Sequence, residues 1–248
     1  MNATNASLYG KGIFTTIAIC DSVPFLWEKH WQRLLANAET AGIYLANDTK
    51  LNVAEKLAAS IKEDRIINGR VRITFFDERP STIWPGESSN STTLSIITGS
   101  LRDIPDNFKL TVSPYPVNSR SPLAGVKSCN YLENLMAVED AKNRGFHEAV
   151  RLNERGEVTS AAMANLFWLK NRELFTPRLS TGCLGGTIRE FVLENLDCRE
   201  VEAGIEELNS ADAIYLTSAG LGIVAAAKFD GRKLPNSPHR ITQLLTDR

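Results

Sequence analysis

Residues 113–122 (SPYPVNSRSP) constrain the fold more than any other segment, because three prolines fall within ten residues. Proline lacks a backbone N–H and has a fixed φ, so neither a helix interior nor an inner strand of a sheet tolerates such a segment. We therefore predict two domains joined at this point. The predicted boundaries are 1–112 for a small N-terminal α/β domain, 113–122 for an interdomain linker and 123–248 for a larger C-terminal domain.

Strand patterns and helix patterns occur on both sides of this segment. Residues 77–91, rich in Pro, Gly and Ser, are predicted to form a loop. The predicted strands cover 13–19, 70–75, 92–98, 108–112, 148–152, 166–170, 213–217 and 223–229. The predicted helices cover 28–41, 51–61, 131–144, 187–196 and 238–245. The mixture of both element types in both domains predicts an α/β (α+β) fold.

The composition excludes several functional classes. The 248 residues carry a formal net charge of −1, whereas a general nucleic-acid-binding protein is normally basic. The longest apolar runs, such as 223–227, are too short to span a bilayer, and residues 1–5 lack the features of a signal peptide. Four scattered cysteines and three histidines favour neither a metal site, nor a disulfide framework, nor a Ser-His-Asp triad. We therefore expect a cytoplasmic protein without nucleic-acid or membrane partners and without a metal.

Four segments are candidates for chemistry. Lys127 follows small and apolar residues and precedes a predicted helix, so a partly desolvated amine there becomes a nucleophile for aldehydes; a solvated lysine is the alternative. The glycine-bearing segments 182–189 and 217–222 either bind an anion or form simple turns. The small residues within 155–168 allow close approach by another group or reflect tight packing.

Taken together, these segments resemble the class IV pyridoxal-phosphate aminotransferases, also called fold type IV. That family contains branched-chain aminotransferases, D-amino-acid aminotransferases and 4-amino-4-deoxychorismate lyases. The resemblance covers nearly the whole chain from about Tyr9, and its segments follow one another in the family's order. They are GKGIFTT (10–16), EKHWQRL (28–34), LAGVKSCNYLE (123–133), ANLFW (164–168), LFTPRL (174–179) and GGTIR (185–189).

The resemblance implies pyridoxal 5'-phosphate as the cofactor, in a site between the two domains that a second copy of the chain closes in a homodimer. Lys127 matches the lysine that holds the cofactor as a Schiff base and then moves protons as a general base and acid. Arg33 matches the arginine that binds the phosphate, with a surface helix charge as the alternative. Tyr131 resembles a tyrosine that some members direct at the phenolic oxygen of the cofactor, with a buried aromatic side chain as the alternative.

The lyase branch is the most similar part of the family. Phe14 is expected to contact substrate, and the hydroxyl of Thr15 or Thr16 is expected to help protonate the enol carbon of the leaving pyruvate. Such lyases convert 4-amino-4-deoxychorismate to 4-aminobenzoate and pyruvate, a step towards folate. Many aminotransferases of the family carry an aromatic-acidic pair where these threonines stand.

Several positions depart from the family pattern. Ser160, counted back from Asn165, stands where the family has a glutamate against the pyridine nitrogen, and a hydroxyl does not stabilise a pyridinium as a carboxylate does. Glu157 or another acid is the alternative partner for that nitrogen. On the phosphate side, the resemblance implies contacts from Thr187, Ile188, Ser218 and Ala219, although Ile188 and Ala219 stand where threonine is frequent.

Recognition of the substrate carboxylate is less defined, because residues 77–80 lack the Arg-Gly-rich pattern of the lyases. Arg79 and Arg120 are the substitutes that we predict. The small domain is also expected to lack an edge strand at its N-terminal side. Three functions remain open: a lyase, a branched-chain or D-amino-acid aminotransferase, and a degenerate member with weak or absent cofactor binding and a non-catalytic role.

Overall fold

The computed structural model of the chain describes residues 3–45, 48–81, 91–235 and 239–245. The described strands are β1 Gly12–Cys20, β2 Val23–Pro24, β3 Gly69–Asp77, β4 Thr92–Gly99, β5 Lys109–Val112, β6 Glu148–Leu152, β7 Val158–Ala161, β8 Asn165–Lys170, β9 Glu173–Pro177, β10 Arg199–Val201, β11 Ala213–Ser218, β12 Gly222–Ala225, β13 Lys228–Phe229 and β14 Arg232–Lys233. The described helices are α1 Asn5–Tyr9, α2 Trp27–Ala41, α3 Lys50–Glu63, α4 Leu132–Asn143, α5 Thr187–Asn195 and α6 Ile205–Asn209, with short 3-10 helices at Leu179–Thr181 and Arg240–Gln243.

The described residues form two compact units. The first contains the described residues up to Leu101 together with Val126–Tyr131, and the second contains Arg102–Gly125 together with the described residues from Leu132 onward. This division differs from the predicted boundaries in two places. Strand β5 belongs to the second unit because it pairs with β6 and β13, and Val126–Tyr131 belongs to the first because its backbone bonds to β1.

The proline-bearing segment 113–122 is part of the second unit and does not bridge the units as a free linker. The backbone N–H groups of Ser113 and Val117 donate to the carbonyls of Val150 and Leu152, both at 2.8 Å, so the segment runs beside β6. Prolines are compatible with this position because the two N–H groups that pair belong to Ser113 and Val117 and not to a proline.

The first unit contains one antiparallel sheet, in the strand order β2-β1-β3-β4 among the described residues. Alternation along β1 turns Ile13, Ile17 and Ile19 to one face, where they form a core with α2 and α3. Helix α2 ends at Gly42, whose φ of 61° suits the left-handed position after a helix. Helix α3 begins after Thr49, whose side chain accepts the Asn52 N–H at 3.2 Å.

The second unit contains two sheets, in the orders β10-β9-β8-β11-β12 and β14-β13-β5-β6-β7 among its described residues. A continuous apolar core draws on both sheets and includes Phe108, Val150, Trp168 and Leu216, each no more than 1% exposed. Within the described residues, no helix is both long and apolar enough to cross a membrane.

The long predicted elements are confirmed to within a few residues, whereas two predictions near the C-terminus are wrong. The predicted strand 223–229 is two strands, because β12 pairs with β11 in one sheet and β13 pairs with β5 in the other. The predicted helix 238–245 begins outside the described residues, and its described part holds only the short 3-10 helix at Arg240–Gln243. Of the predicted loop 77–91, Asp77 ends β3 and residues 82–90 lie outside the described residues.

Candidate active site

Lys127 is held against the first residues of β1, beyond the part that pairs with β2 and on the side opposite β3. The Phe14 N–H donates to the Lys127 carbonyl at 2.9 Å, and the Cys129 N–H donates to the Gly12 carbonyl at 2.8 Å. Gly12 permits this approach, because a Cβ there would lie 2.8 Å from the Cys129 Sγ and 3.1 Å from the Phe75 carbonyl oxygen. The segment around Lys127 is therefore fixed by backbone pairing rather than by its own secondary structure.

The amine of Lys127 lies against aromatic side chains. Its Nζ is 4.4 Å from the centre of the Phe14 ring, 4.9 Å from the centre of the Tyr131 ring and 3.5 Å from the Tyr131 Oη. The two rings meet edge to face at 5.2 Å. Burial, reinforced by the charges of Arg33 and Arg72, lowers the pKa of Lys127 from 10.5 to about 7. A large share of the amine is therefore unprotonated at neutral pH, which makes it a nucleophile for an aldehyde.

Arg33 is oriented by β1 through Thr15. The Arg33 Nη2 donates to the Thr15 Oγ1 at 2.7 Å, and the same Oγ1 lies 2.7 Å from the His30 Nδ1. Both Thr15 and His30 are fully buried. Thr15 thus faces α2, whereas alternation turns Phe14 and Thr16 to the opposite face of the sheet. The Thr15 hydroxyl is therefore bonded within the helix-facing layer, and this geometry favours Thr16 over Thr15 for the predicted role of proton donor.

Arg72 is a charged residue of this site that the sequence analysis did not single out. Its guanidinium carbon lies 3.6 Å from the centre of the Phe14 ring, and its Nε donates to the Thr74 Oγ1 at 3.1 Å. Arg72 is the strand partner of Thr16. No ion pair joins Arg72 to a carboxylate within the described part of the chain. The strict alternation of residues 70–75 was the signal available, because it turns Arg72 away from Val71 and Ile73 towards the face of Phe14.

Arg79, one of the two arginines predicted to contact substrate, is bonded within the first unit. The Arg79 Nε donates to both oxygens of Asp77, at 2.7 and 3.0 Å, and Lys11 forms an ion pair with the same carboxylate at 3.2 Å. Burial raises the pKa of Asp77, but the hydrogen bonds from Arg79 and Lys11 outweigh it and hold that pKa well below its usual range. Arg79 is therefore committed to a structural ion pair. Arg120, in the second unit, is exposed.

In the second unit, Asn165 fixes the loop before α5. Its Nδ2 donates to the Leu184 carbonyl at 2.7 Å, and a Cβ on Gly186 would lie only 1.9 Å from its Oδ1. The loop therefore requires glycine at 186 and brings Thr187 to the first position of the helix, while the Ile188 side chain is buried. A helix N-terminus of this kind suits an anion.

Strand β11 ends beside Asn165. Thr217 is the strand partner of Asn165, and its buried Oγ1 has no hydrogen-bond partner within the described residues. The Ser218 Oγ accepts the Leu221 N–H at 3.2 Å, and Ala219 contributes no hydroxyl. The orphaned Thr217 hydroxyl is a feature of this corner that the sequence analysis missed.

Ser160 is half-buried on β7. Its strand partner is Arg151, whose Nη2 forms an ion pair with Glu133 at 3.1 Å. The alternative acid, Glu157, accepts from the Arg155 Nη2 at 2.6 Å and from Asn153, and these bonds lower its pKa. The Glu157 carboxylate is thus bonded to Arg155 and Asn153, which does not favour the alternative in which Glu157 takes over the missing carboxylate.

In the first unit, Lys127 supplies the unprotonated amine that the aldehyde of pyridoxal 5'-phosphate needs, and Arg33 supplies a cation suited to its phosphate. In the second unit, the start of α5 offers N–H groups suited to an anion. The same unit has the hydroxyl of Ser160 where the resemblance implies a carboxylate. Within the described ranges, no cluster of three or more His, Cys, Asp or Glu side chains could hold a metal ion.

A mixed helix-and-sheet fold carrying a half-buried lysine, whose pKa is lowered by burial and by two arginines, defines the class of protein, the fold type IV pyridoxal-phosphate proteins. The chain belongs to the class IV aminotransferase family, because the sequence profile of "Amino-transferase class IV" matches residues 12–229. The fold and family predicted from the sequence are thus confirmed. The family uses pyridoxal 5'-phosphate, which is the predicted cofactor.

Relatives within this family have different activities. An aminodeoxychorismate lyase of Bacillus subtilis is 28% identical over 232 residues, covering 90% of this chain and 79% of the relative. A D-alanine aminotransferase of Staphylococcus epidermidis is 25% identical over 239 residues, covering 92% of this chain and 82% of the relative. The crystal structure of the branched-chain amino acid aminotransferase of Escherichia coli has a TM-score of 0.90 at 21% identity, covering 97% of this chain and 85% of that one. This last likeness shows the fold alone.

Proposed function

We propose that the protein is a pyridoxal-phosphate-dependent lyase that acts on 4-amino-4-deoxychorismate and releases pyruvate and 4-aminobenzoate. The observation that carries the proposal is the Lys127 amine, whose pKa is lowered to about 7 by burial and by the charges of Arg33 and Arg72. When bound, the cofactor supplies an electron sink for negative charge at the substrate Cα. The similarity to an aminodeoxychorismate lyase of Bacillus subtilis supports the substrate.

Lys127 has two tasks in this proposal. Its Nζ would hold the cofactor at the aldehyde carbon, and the free amine would accept and return protons beside the substrate. A group with a pKa near neutrality does both at physiological pH, because neither protonation state is rare. The Tyr131 Oη, 3.5 Å from Nζ, orients the amine. Arg33 binds the phosphate as a cation whose donors are fixed in one plane.

Arg72 and Phe14 are the proposed substrate-binding residues on the other face of the sheet. The substrate carries carboxylates, and Arg72 offers a guanidinium without a carboxylate partner among the described residues. Its stacking on Phe14, at 3.6 Å, fixes the plane of the guanidinium and leaves the edge with the N–H groups for an anion. Arg72 therefore replaces Arg79 and Arg120 as the carboxylate-binding residue that we propose.

Thr16 is the proposed proton donor of the lyase reaction. It lies on the face of Phe14 and Arg72, whereas Thr15 is bonded to His30 and Arg33. The Thr16 hydroxyl delivers a proton to the enol carbon of the departing pyruvate. An acidic side chain does not occupy this position, and this absence favours the lyase over an aminotransferase.

The experiment measures both reactions on one preparation loaded with pyridoxal phosphate. We expect release of 4-aminobenzoate and pyruvate from 4-amino-4-deoxychorismate, and little amino transfer from branched-chain or D-amino acids. Thr16→Val should lower kcat by about 10²-fold, the range for loss of one proton donor, while Thr16→Ser keeps the hydroxyl and most of the rate. Efficient amino transfer without lyase turnover would replace the lyase by an aminotransferase.

A degenerate, non-catalytic member is the second candidate, and the Ser160 hydroxyl favours it. Ser160→Glu restores a carboxylate at this position, next to Arg151 on the neighbouring strand. If the wild-type protein binds no cofactor and Ser160→Glu does, the degenerate reading holds. If the wild-type protein already binds the cofactor and turns over substrate, that reading fails.

A further inference from the structure

His30 is buried beside the proposed phosphate-binding arginine, and no step of the proposed reaction uses it. His30 and Arg33 lie one turn apart on α2 and reach the same hydroxyl on β1. The Thr15 Oγ1 is 2.7 Å from the His30 Nδ1 and 2.7 Å from the Arg33 Nη2, and the Nη2 is 3.5 Å from that Nδ1. The three side chains thus form a bonded chain that joins helix to sheet.

The donor and acceptor properties of the three side chains fix the direction of each hydrogen bond between them. A guanidinium only donates, so Arg33 must donate to the Thr15 oxygen. Thr15 has one hydroxyl proton, and the remaining short contact places that proton on the line to the His30 Nδ1. The Nδ1 is then an acceptor, and the ring proton of a neutral His30 resides on Nε2.

The surroundings keep the imidazole neutral. His30 is fully buried, and burial followed by the positive charges of Arg33 and Lys127 lowers its pKa well below the usual value. Both cations belong to the same unit as His30. Protonation would turn Nδ1 into a second donor aimed at Thr15, and the Thr15 hydroxyl would lose its acceptor.

We propose that His30 is a positioning residue for Arg33: its neutral Nδ1 fixes the Thr15 hydroxyl, and that hydroxyl fixes the Arg33 guanidinium for the phosphate of the cofactor. The identity of the anion rests on the proposed function, whereas the bonded chain does not.

The bonded chain is tested first without any cofactor, by ¹⁵N NMR of the histidine rings. The sequence has only three histidines, so the His30 signals are assigned by their loss in His30→Phe. We expect a neutral ring with the proton on Nε2 and a hydrogen-bonded Nδ1 from about pH 5.5 to about pH 8. Thr15→Val should shift the Nδ1 signal, and Thr15→Ser should restore it. A ring that titrates in this range, or an Nδ1 signal that Thr15→Val leaves unmoved, would overturn the proposal.

The link to the phosphate is tested by comparing pyridoxal 5'-phosphate with pyridoxal, which lacks the phosphate. Loss of one charge-assisted hydrogen bond corresponds to a decrease in affinity of about tenfold. Thr15→Val and His30→Phe should each weaken binding of pyridoxal 5'-phosphate by about tenfold and leave binding of pyridoxal unchanged. His30→Asn, whose Oδ1 offers an acceptor near the Nδ1 position, is the matched control and should retain most of the affinity. The double variant should lose no more than either single variant.

The outcomes separate the two proposals. Equal losses for pyridoxal 5'-phosphate and pyridoxal would mean that His30 only packs the core, and this would overturn its positioning role. If the wild-type protein binds neither compound, the proposed function fails, while the NMR result still decides whether the bonded chain exists. His30→Phe removes a buried polar group and can lower stability. If His30→Phe does not fold, Thr15→Val provides the test.

Discussion

Replacing Lys127 by methionine should stabilise the cofactor-free protein while abolishing its chemistry. The lysine amine has a pKa of about 7 in the fold, against an ordinary value of 10.5. At about 1.4 kcal/mol for each pKa unit, holding this charge in the site costs about 5 kcal/mol at and below neutral pH. Methionine keeps the unbranched stem and removes the charge. Since relaxation and water penetration reduce such costs, we expect Lys127→Met to raise the free energy of unfolding by about 2–4 kcal/mol.

The pH dependence of this gain has a defined sign. Between pH 7 and pH 10.5, the unfolded chain binds a proton on Lys127 that the folded chain does not. The wild-type protein therefore gains stability as pH rises through this window, and the advantage of Lys127→Met shrinks. Below pH 7 both states are protonated and the advantage is constant.

Urea unfolding of the cofactor-free proteins, followed by circular dichroism at about pH 6.5 and about pH 9.5, measures the effect. Lys142→Met is the matched control, because Lys142 is exposed near the end of α4 and should change stability by less than about 0.5 kcal/mol. A Lys127→Met variant no more stable than wild type at about pH 6.5 would refute the reasoning. A gain of equal size at both pH values would also contradict it, because it would then come from packing rather than from charge.

Three further substitutions test other parts of the structure. Arg72→Met should raise KM for the substrate by about tenfold or more, because it removes the guanidinium proposed to bind the substrate carboxylate, and should leave cofactor affinity nearly unchanged. Steady-state kinetics and a cofactor titration measure these two quantities. An unchanged KM would remove Arg72 from the site. Asp77→Asn should lose about 1–3 kcal/mol at about pH 7, because the folded carboxylate is held ionised by its partners. The loss should shrink only as the pH falls below the ordinary pKa of an aspartate, where the unfolded chain takes up a proton and the folded carboxylate does not. Equal losses in urea unfolding at about pH 7 and about pH 2 would contradict this. Burial raises the pKa of Glu148 from 4.5 to about 7, so between these pH values the folded protein keeps a proton that the unfolded chain releases. The free energy of unfolding of the wild-type protein therefore falls as the pH rises from 4.5 to about 7. Glu148→Gln should flatten this pH dependence in urea unfolding, and an unchanged pH dependence would argue against it.

Sequence patterns predict the long elements of this fold and miss the short ones for a physical reason. Helix α2 and strand β1 are long enough for their apolar residues to repeat several times, and their bounds are recovered closely. Strands β7, β9 and β10 have only three to five residues, too few for a period to show. Their positions depend on partners elsewhere in the chain.

The candidate site shows the same limit. Lys127 and Arg33 can be found from the sequence, because each stands in a recognisable segment. Their environment cannot be found in this way, since it depends on which face of a strand each side chain occupies. Strand alternation alone would have separated Thr15 from Thr16, and it would have put Arg72 with Phe14. Strand alternation could not show which of the two faces is covered by helix and which is not, because this depends on the packing of α2 on β1.

The domain boundaries failed for a related reason. A cluster of prolines indicates where regular structure is interrupted, but not which unit the interrupted segment packs against. The segment 113–122 runs beside β6, and residues 126–131 pair with β1, so the division of the chain follows hydrogen bonds between distant residues.

The site of covalent attachment tests the central claim most directly. The protein is saturated with pyridoxal 5'-phosphate, reduced with borohydride and digested, and the modified peptide is identified by mass spectrometry. The account predicts a visible absorption band that reduction removes, with the cofactor mass on the peptide that contains Lys127 and on no other lysine. A band that persists in Lys127→Met, a label on another lysine, or no label at all would contradict it.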